Sequence, residues 1–236
     1  TTEEEKMLKE FEEEVKAIEE TEAQKSGKTK ESDITQVVHE LITTSTFYVG
    51  EVEGGQQTNI ESAFDNFRTT QKGTKWLTAY GGIDKPDKKY RMEDKDYYCP
   101  NFVPELNPFY VALPCNPYPN NKYSFGAESW VKITNEENGK IVYAQWMDVG
   151  PWVKLIGQDC DYVFGDGTIS PKAEGDSRTN SAGIDLSPAV SFFLTGEGSD
   201  LIEVSWKFVG ESEVPKDNTN LLATPWSNWE KICKLR

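Results

Sequence analysis

Trp130-Val131-Lys132-Ile133-Thr134 alternates apolar and polar residues. Asn135-Glu136-Glu137-Asn138-Gly139 then turns the chain, and Ile141-Val142-Tyr143-Ala144-Gln145-Trp146-Met147-Asp148-Val149 returns with the same alternation before Gly150-Pro151-Trp152. Two alternating runs joined by an Asn/Gly-rich turn predict a β-hairpin with one face buried. Pro151 has no N–H for a ladder, so the second strand ends there. Asp148 sits at the mouth of that strand, with Trp146 and Trp152 on either side. A carboxyl among aromatic rings is partly desolvated, which disfavours its charged form and suits it to donate a proton. The same side chain could instead accept backbone N–H bonds and hold the turn.

Working outward, Gly183-Ile184-Asp185-Leu186 leads into Ser187-Pro188-Ala189-Val190 about 35 residues later. Ser187 as N-cap and Pro188 at the first helical position predict a helix start. Gly196 or Gly198 is expected to end it. Asp185, just before that start, suits a hydrogen bond to nearby amides; as a second carboxyl it would complete an acid–base pair. Leu201–Val209 reads as a closing strand, Thr44–Val49 as an opening one, and Asn107–Pro114 as a short strand bracketed by prolines. Residues 59–68 carry apolar residues on one side, as a short helix would.

The 236 residues carry 40 acidic against 25 basic side chains, a net charge of −15, with seven Trp and ten Tyr. Such an acidic surface repels phosphate backbones and anionic headgroups, so no nucleic-acid partner is expected. No run of about 18 apolar residues exists, so no transmembrane segment is predicted. Residues 1–31 are Glu/Lys-rich, with Leu8, Phe11, Val15 and Ile18 on a thin helical stripe. They form an acidic helical segment and linker that could hold a protein partner or serve as a solvated tether. Residues 32–236 form the main domain, with an insertion at about 53–105. His39 is the only histidine, so neither a His-rich metal site nor a Ser–His–Asp triad is expected. Asp159-Cys160-Asp161 departs from a calcium-loop pattern, so no metal and no cofactor is predicted. Cys99, Cys115, Cys160 and Cys233 lack CxxC spacing. They read as two disulfides of an exported protein, paired Cys99–Cys115 and Cys160–Cys233, or as free thiols.

The order of hairpin, Asp148-Val149-Gly150-Pro151-Trp152, Ile184-Asp185-Leu186-Ser187-x-Ala189 and closing strand resembles the double-psi β-barrels. That group includes rare lipoprotein A, the barwin and expansin domains, family-45 endoglucanases and the lytic transglycosylase A barrel. The resemblance covers roughly the last 130 residues. Val149 stands where rare lipoprotein A proteins have Arg, and the stretch Phe109-Tyr110-Val111-Ala112-Leu113-Pro114 lacks their His. The resemblance implies a mainly β, six-stranded barrel with Asp148 as general acid, Asp185 as a second carboxylate, and a polysaccharide or peptidoglycan substrate. It also implies a secreted, periplasmic or cell-surface location. Tyr48, Trp76, Tyr80, Tyr110, Trp146 and Trp152 are the candidate rings to stack on sugars or to fill the core. Three functions stand open: a glycan-cleaving enzyme, a non-catalytic glycan-binding module, and a structural protein of the envelope.

Overall fold

A computed structural model describes residues 34–53, 56–57, 59–67, 76, 107, 109–118, 125–151, 158–174, 180–196 and 201–215. The helical segment read at 1–31 lies outside them, as do Tyr80, Trp152, Cys99, Cys233 and most of the 53–105 insertion. Among the described residues eight strands are present: β1 (His39–Thr46), β2 (Val52–Glu53), β3 (Gln56–Gln57), β4 (Tyr110–Leu113), β5 (Trp130–Asn135), β6 (Ile141–Val149), β7 (Ile184–Leu186) and β8 (Glu203–Val209). Helix α1 covers Cys160–Val163 and α2 covers Pro188–Thr195. Six strands close into a barrel in the order β1-β7-β4-β6-β5-β8, while β2 and β3 form a separate two-stranded ladder. Closure leaves no open edge in the main sheet. β1 runs parallel to β7, and β4 parallel to β6; every other barrel pair is antiparallel. Among the described residues, no helix is long and apolar enough to cross a membrane.

The expected hairpin is β5–β6, with Val131 opposite Ala144 and Ile133 opposite Val142. Their alternating burial is the physical source of the sequence pattern. Ser187 caps α2 by accepting a hydrogen bond from Val190 N–H at 3.3 Å, Pro188 opens the helix, and Gly196 ends it in the left-handed region at φ 85°. The opening strand starts earlier than its β-branched run suggests, because a bulge between His39 and Ile42 lets the polar stretch pair with β8. Residues 63–67 form turns rather than a helix; Asp65 N–H donates to Ser62 O and Phe67 N–H to Phe64 O, each three residues back.

Val111 and Leu113 enter the main core with Ile133, Trp146, Ile184, Leu186, Trp206 and Phe208. Tyr110 and Ala112, their neighbours on β4, belong to a second cluster with Phe47, Val49, Trp76 and Met147. A strand sends successive side chains to opposite faces, so the second cluster covers the outer face of this part of the sheet. Burial of this much apolar surface on both faces is the main force holding β4 at the centre of the fold.

The cysteine pairing read from the sequence is corrected. Cys115 bonds to Cys160, closing a separation of 45 residues. Cys99 and Cys115 are near in sequence, but Cys115 follows Pro114 into a loop that lies along the start of α1, where Asp159 N–H donates to Pro114 O at 2.6 Å. Proximity in space, set by that loop, decided the pairing.

Candidate functional site

The two sequence-identified carboxylates come together through strand register. Asp185 on β7 pairs with Ser45 on β1 on one side and with Ala112 on β4 on the other. Ala112 in turn pairs with Asp148 on β6, just past a register shift between Val111 and Ala112. The row therefore reads Ser45, Asp185, Ala112, Asp148 across four adjacent strands. Adjacent strands stand about 5 Å apart, which puts the Asp185 and Asp148 backbones roughly 10 Å apart with only a methyl group between them. Asp185 alternates with Ile184 and Leu186, which face the main core, so its side chain projects away from the interior.

Asp185 is held from two sides. Ser45 Oγ–H donates a hydrogen bond to Asp185 Oδ1. The other oxygen lies over the Gly-Pro turn: a Cβ placed on Gly150 would stand 2.6 Å from Asp185 Oδ2 and 3.4 Å from the Ala112 Cβ. The turn glycine is thus demanded by a carboxylate on another strand, which joins the two sequence motifs physically. Gly150 N–H donates to Leu113 O at 3.1 Å and keeps the turn against β4. Asp185 retains partial solvent contact, yet burial pushes its carboxyl up from the usual range to about 7. The Ser45 hydrogen bond opposes that rise, and the charges of Asp148 and Glu51 add to it.

Asp148 is buried at 8% exposure. Its Oδ1 accepts from Ala63 N–H at 2.9 Å and from Val149 N–H at 2.8 Å, and its backbone carbonyl accepts from Trp146 Nε1–H at 2.7 Å. Ser62 Oγ–H donates to Met147 O. The 59–67 segment is thereby fastened along the end of β6. Glu51 accepts from Asn59 Nδ2 at 3.1 Å beside the same site.

The remaining candidates are placed as follows. Trp76, Tyr110 and Trp146 are fully buried. Trp76 packs on Phe47 and Tyr110, Tyr110 Oη accepts from Val49 N–H at 3.2 Å, and Trp146 meets Phe64 edge-on. These three rings are packing residues, not an exposed sugar platform. Tyr48 is half-buried. Cys115 and Cys160 form the disulfide described above. His39 is 2% exposed, stacked on Trp206 with ring centroids 4.0 Å apart and edge-on to Tyr162. It pairs at the Trp206 end of β1, away from the Ser45 end that holds Asp185, so it takes no part in the carboxylate row. Burial lowers its pKa to about 4, against a raising hydrogen bond with the Val163 backbone.

Sequence reading missed Ser45 and Gly150 as site residues. The Ser45 signal was present only as a polar residue in a β-branched run; its meaning depends on a parallel pairing across 140 residues. A separate concavity of about 500 Å³ is lined by Ile34, Val37, Phe164, Gly165, Asp166, Thr168 and Ile169. It is mostly apolar, its carboxylate Asp166 is tied to Thr168, and neither Asp148 nor Asp185 lines it. Among the described residues no cluster of His, Cys, Asp and Glu is arranged to hold a metal ion. No protein-family model matches the chain. No curated protein matches it either.

Proposed function

We propose that the chain is an exported double-psi β-barrel that binds and cleaves glycan strands, with Asp185 as the proton donor and Asp148 as its partner carboxylate. The observation that carries this reading is the row Ser45–Asp185–Ala112–Asp148, which sets two carboxyls on either side of a small residue and seats one of them against the Gly-Pro turn. The closed six-stranded barrel with two parallel pairs is compatible with the double-psi arrangement. The disulfide supports an oxidising compartment.

Cleavage of a glycosidic bond asks for an acid that still holds its proton near neutral pH and a second carboxylate to favour the positive charge developing on the sugar. Asp185 is suited to the first task by its burial and like-charged neighbours. Asp148, whose Oδ1 is an acceptor of two amides, is suited to the second. The sequence reading gave the acid's role to Asp148; the surroundings of the two groups favour exchanging the roles. The same two amide bonds also favour a second reading, a glycan-binding module in which Asp148 only braces the turn.

The test is product release from purified peptidoglycan and from β-glucan at pH 6, comparing the unaltered protein with Asp185→Asn. Cleavage that falls by roughly 100-fold or more, with circular dichroism and glycan pull-down unchanged, supports the catalytic reading. Pull-down without cleavage by either protein selects the binding module. Equal cleavage by both removes Asp185 from the chemistry.

A further inference from the structure

We propose that Phe67, laid flat on Tyr118, is a stacking platform for an uncharged pyranose ring, and that the glycan held at the Asp148 end of the barrel is a neutral β-glucan. That the ligand is a glycan rests on the reading above; the exposed ring stack does not.

Two segments that meet at one end of the barrel build the platform. β4 and β6 run parallel and finish level, with Leu113 opposite Val149. Tyr118 follows Leu113 through the loop that the Cys115–Cys160 disulfide anchors. The 59–67 segment is tied to Asp148 through the Ala63 amide. Four residues of chain reach at most about 14 Å, so Phe67 stays near that carboxylate.

Tyr118 is held on three sides. Phe64 meets it edge-on, its hydroxyl accepts from Ala127 N–H at 3.3 Å, and a Cβ on Gly126 would stand 2.5 Å from that same oxygen. Phe67 lies on this fixed ring with centroids 3.9 Å apart and planes 4° from parallel. Ring pairs favour offset or edge-on packing over a face-to-face sandwich. The surroundings, rather than ring-to-ring attraction, therefore set this geometry. With one face against Tyr118, Phe67 is still 42% exposed, and its opposite face is the one a ligand can cover.

What fits such a face is a flat ligand, apolar in the middle and polar at the rim. A β-glucose ring is of that kind: its hydroxyls are equatorial, and its axial C–H bonds line both faces. Charge narrows the class further. The charges of Asp148 and Glu51 act on Asp185 beside the platform, and Glu61 and Asp65 share the segment of Phe67. Carboxylates accept hydrogen bonds from sugar hydroxyls, yet repel the carboxylates and phosphates of anionic wall polymers.

The experiment is isothermal titration calorimetry of the full chain with cellohexaose and laminarihexaose, two neutral β-glucan fragments, and with soluble muropeptides. The unaltered protein is expected to bind at least one glucan fragment more tightly than the muropeptides. Phe67→Ala is expected to weaken that binding roughly 10-fold. Phe67→Leu, apolar but without a ring, should weaken it as much, and Phe67→Trp should retain it. Tm should change little in all three, because Phe67 is exposed. Sugar C–H protons are expected to move upfield in the NMR spectrum with the unaltered protein and not with Phe67→Leu, as a ring current requires. Glucan binding that is equally tight in Phe67→Ala, or a preference for the muropeptides, overturns the proposal and leaves the glycan reading standing. Binding of none of the three ligands removes the glycan reading and the proposal with it. Phe67-dependent binding of a glucan that is never cut upholds the platform and rejects cleavage alone.

Discussion

Asp185 and His39 are two titratable side chains displaced in opposite senses, and their effects on stability oppose each other. The raised pKa of Asp185 means that the folded state holds a proton which the unfolded chain releases above about 4. Its stabilising effect is complete below that pH and is lost as pH rises toward 7. The lowered pKa of His39 means that the unfolded chain takes up a proton below about 6.5 while the folded state does not until about 4. Folding is therefore weakened as pH falls through that window, by at most about 3 kcal/mol. Asp185→Asn should accordingly be more stable than the unaltered protein at pH 8, with the gap closing by pH 4, as read by urea unfolding at each pH. A variant less stable at pH 8 would show that the carboxylate is held by more than it costs. The prediction sets stability against activity at one residue, the usual mark of a functional group that burial disfavours.

At the level of elements, the hairpin and the capped helix were legible because each is a local pattern. Alternation from Trp130 to Val149 reports a strand pair through burial alone, and Ser187-Pro188 reports a helix start through backbone hydrogen bonding alone. β7 was harder to see: it is three residues long, and it is a strand only because β1 and β4 flank it. The 59–67 segment carries apolar residues at helical spacing, yet Phe64 is spent on Trp146 and Ala63 on Asp148, and tertiary contacts override the periodicity. The Cys115–Cys160 disulfide ties the loop after β4 to α1, and Leu113 at the end of β4 accepts from Gly150. Closing a loop of this length stabilises a chain by about 4 kcal/mol in the chain-entropy picture. The double variant Cys115→Ser/Cys160→Ser should lower Tm by several degrees and loosen the Gly-Pro turn, seen as faster amide exchange at Gly150. An unchanged exchange rate at Gly150 would uncouple the disulfide from the site.

On the scale of the whole molecule, the net charge is acidic, and among the described residues the main sheet is closed and a disulfide is formed. Composition pointed away from nucleic acid, and hydropathy away from a spanning helix, without reference to any fold. A six-stranded barrel was expected from the resemblance that two short motifs carry, and the main sheet is a closed barrel of six strands. What no single stretch of sequence contained was the row that joins them, because register between β1, β7, β4 and β6 is a property of the assembled sheet. The aromatic residues show the same limit from the other side. Trp76, Tyr110 and Trp146 matched a sugar platform and a core equally well in sequence, and burial assigned them to the core.

The most direct measurement is a crystal structure of Asp185→Asn soaked with a soluble oligosaccharide cut from peptidoglycan or from β-glucan. A sugar seated at the partly exposed side of residue 185, with a glycosidic oxygen within hydrogen-bond reach of it, is the predicted result. A sugar bound instead along the Ile34–Ile169 groove, or bound nowhere, would contradict the account.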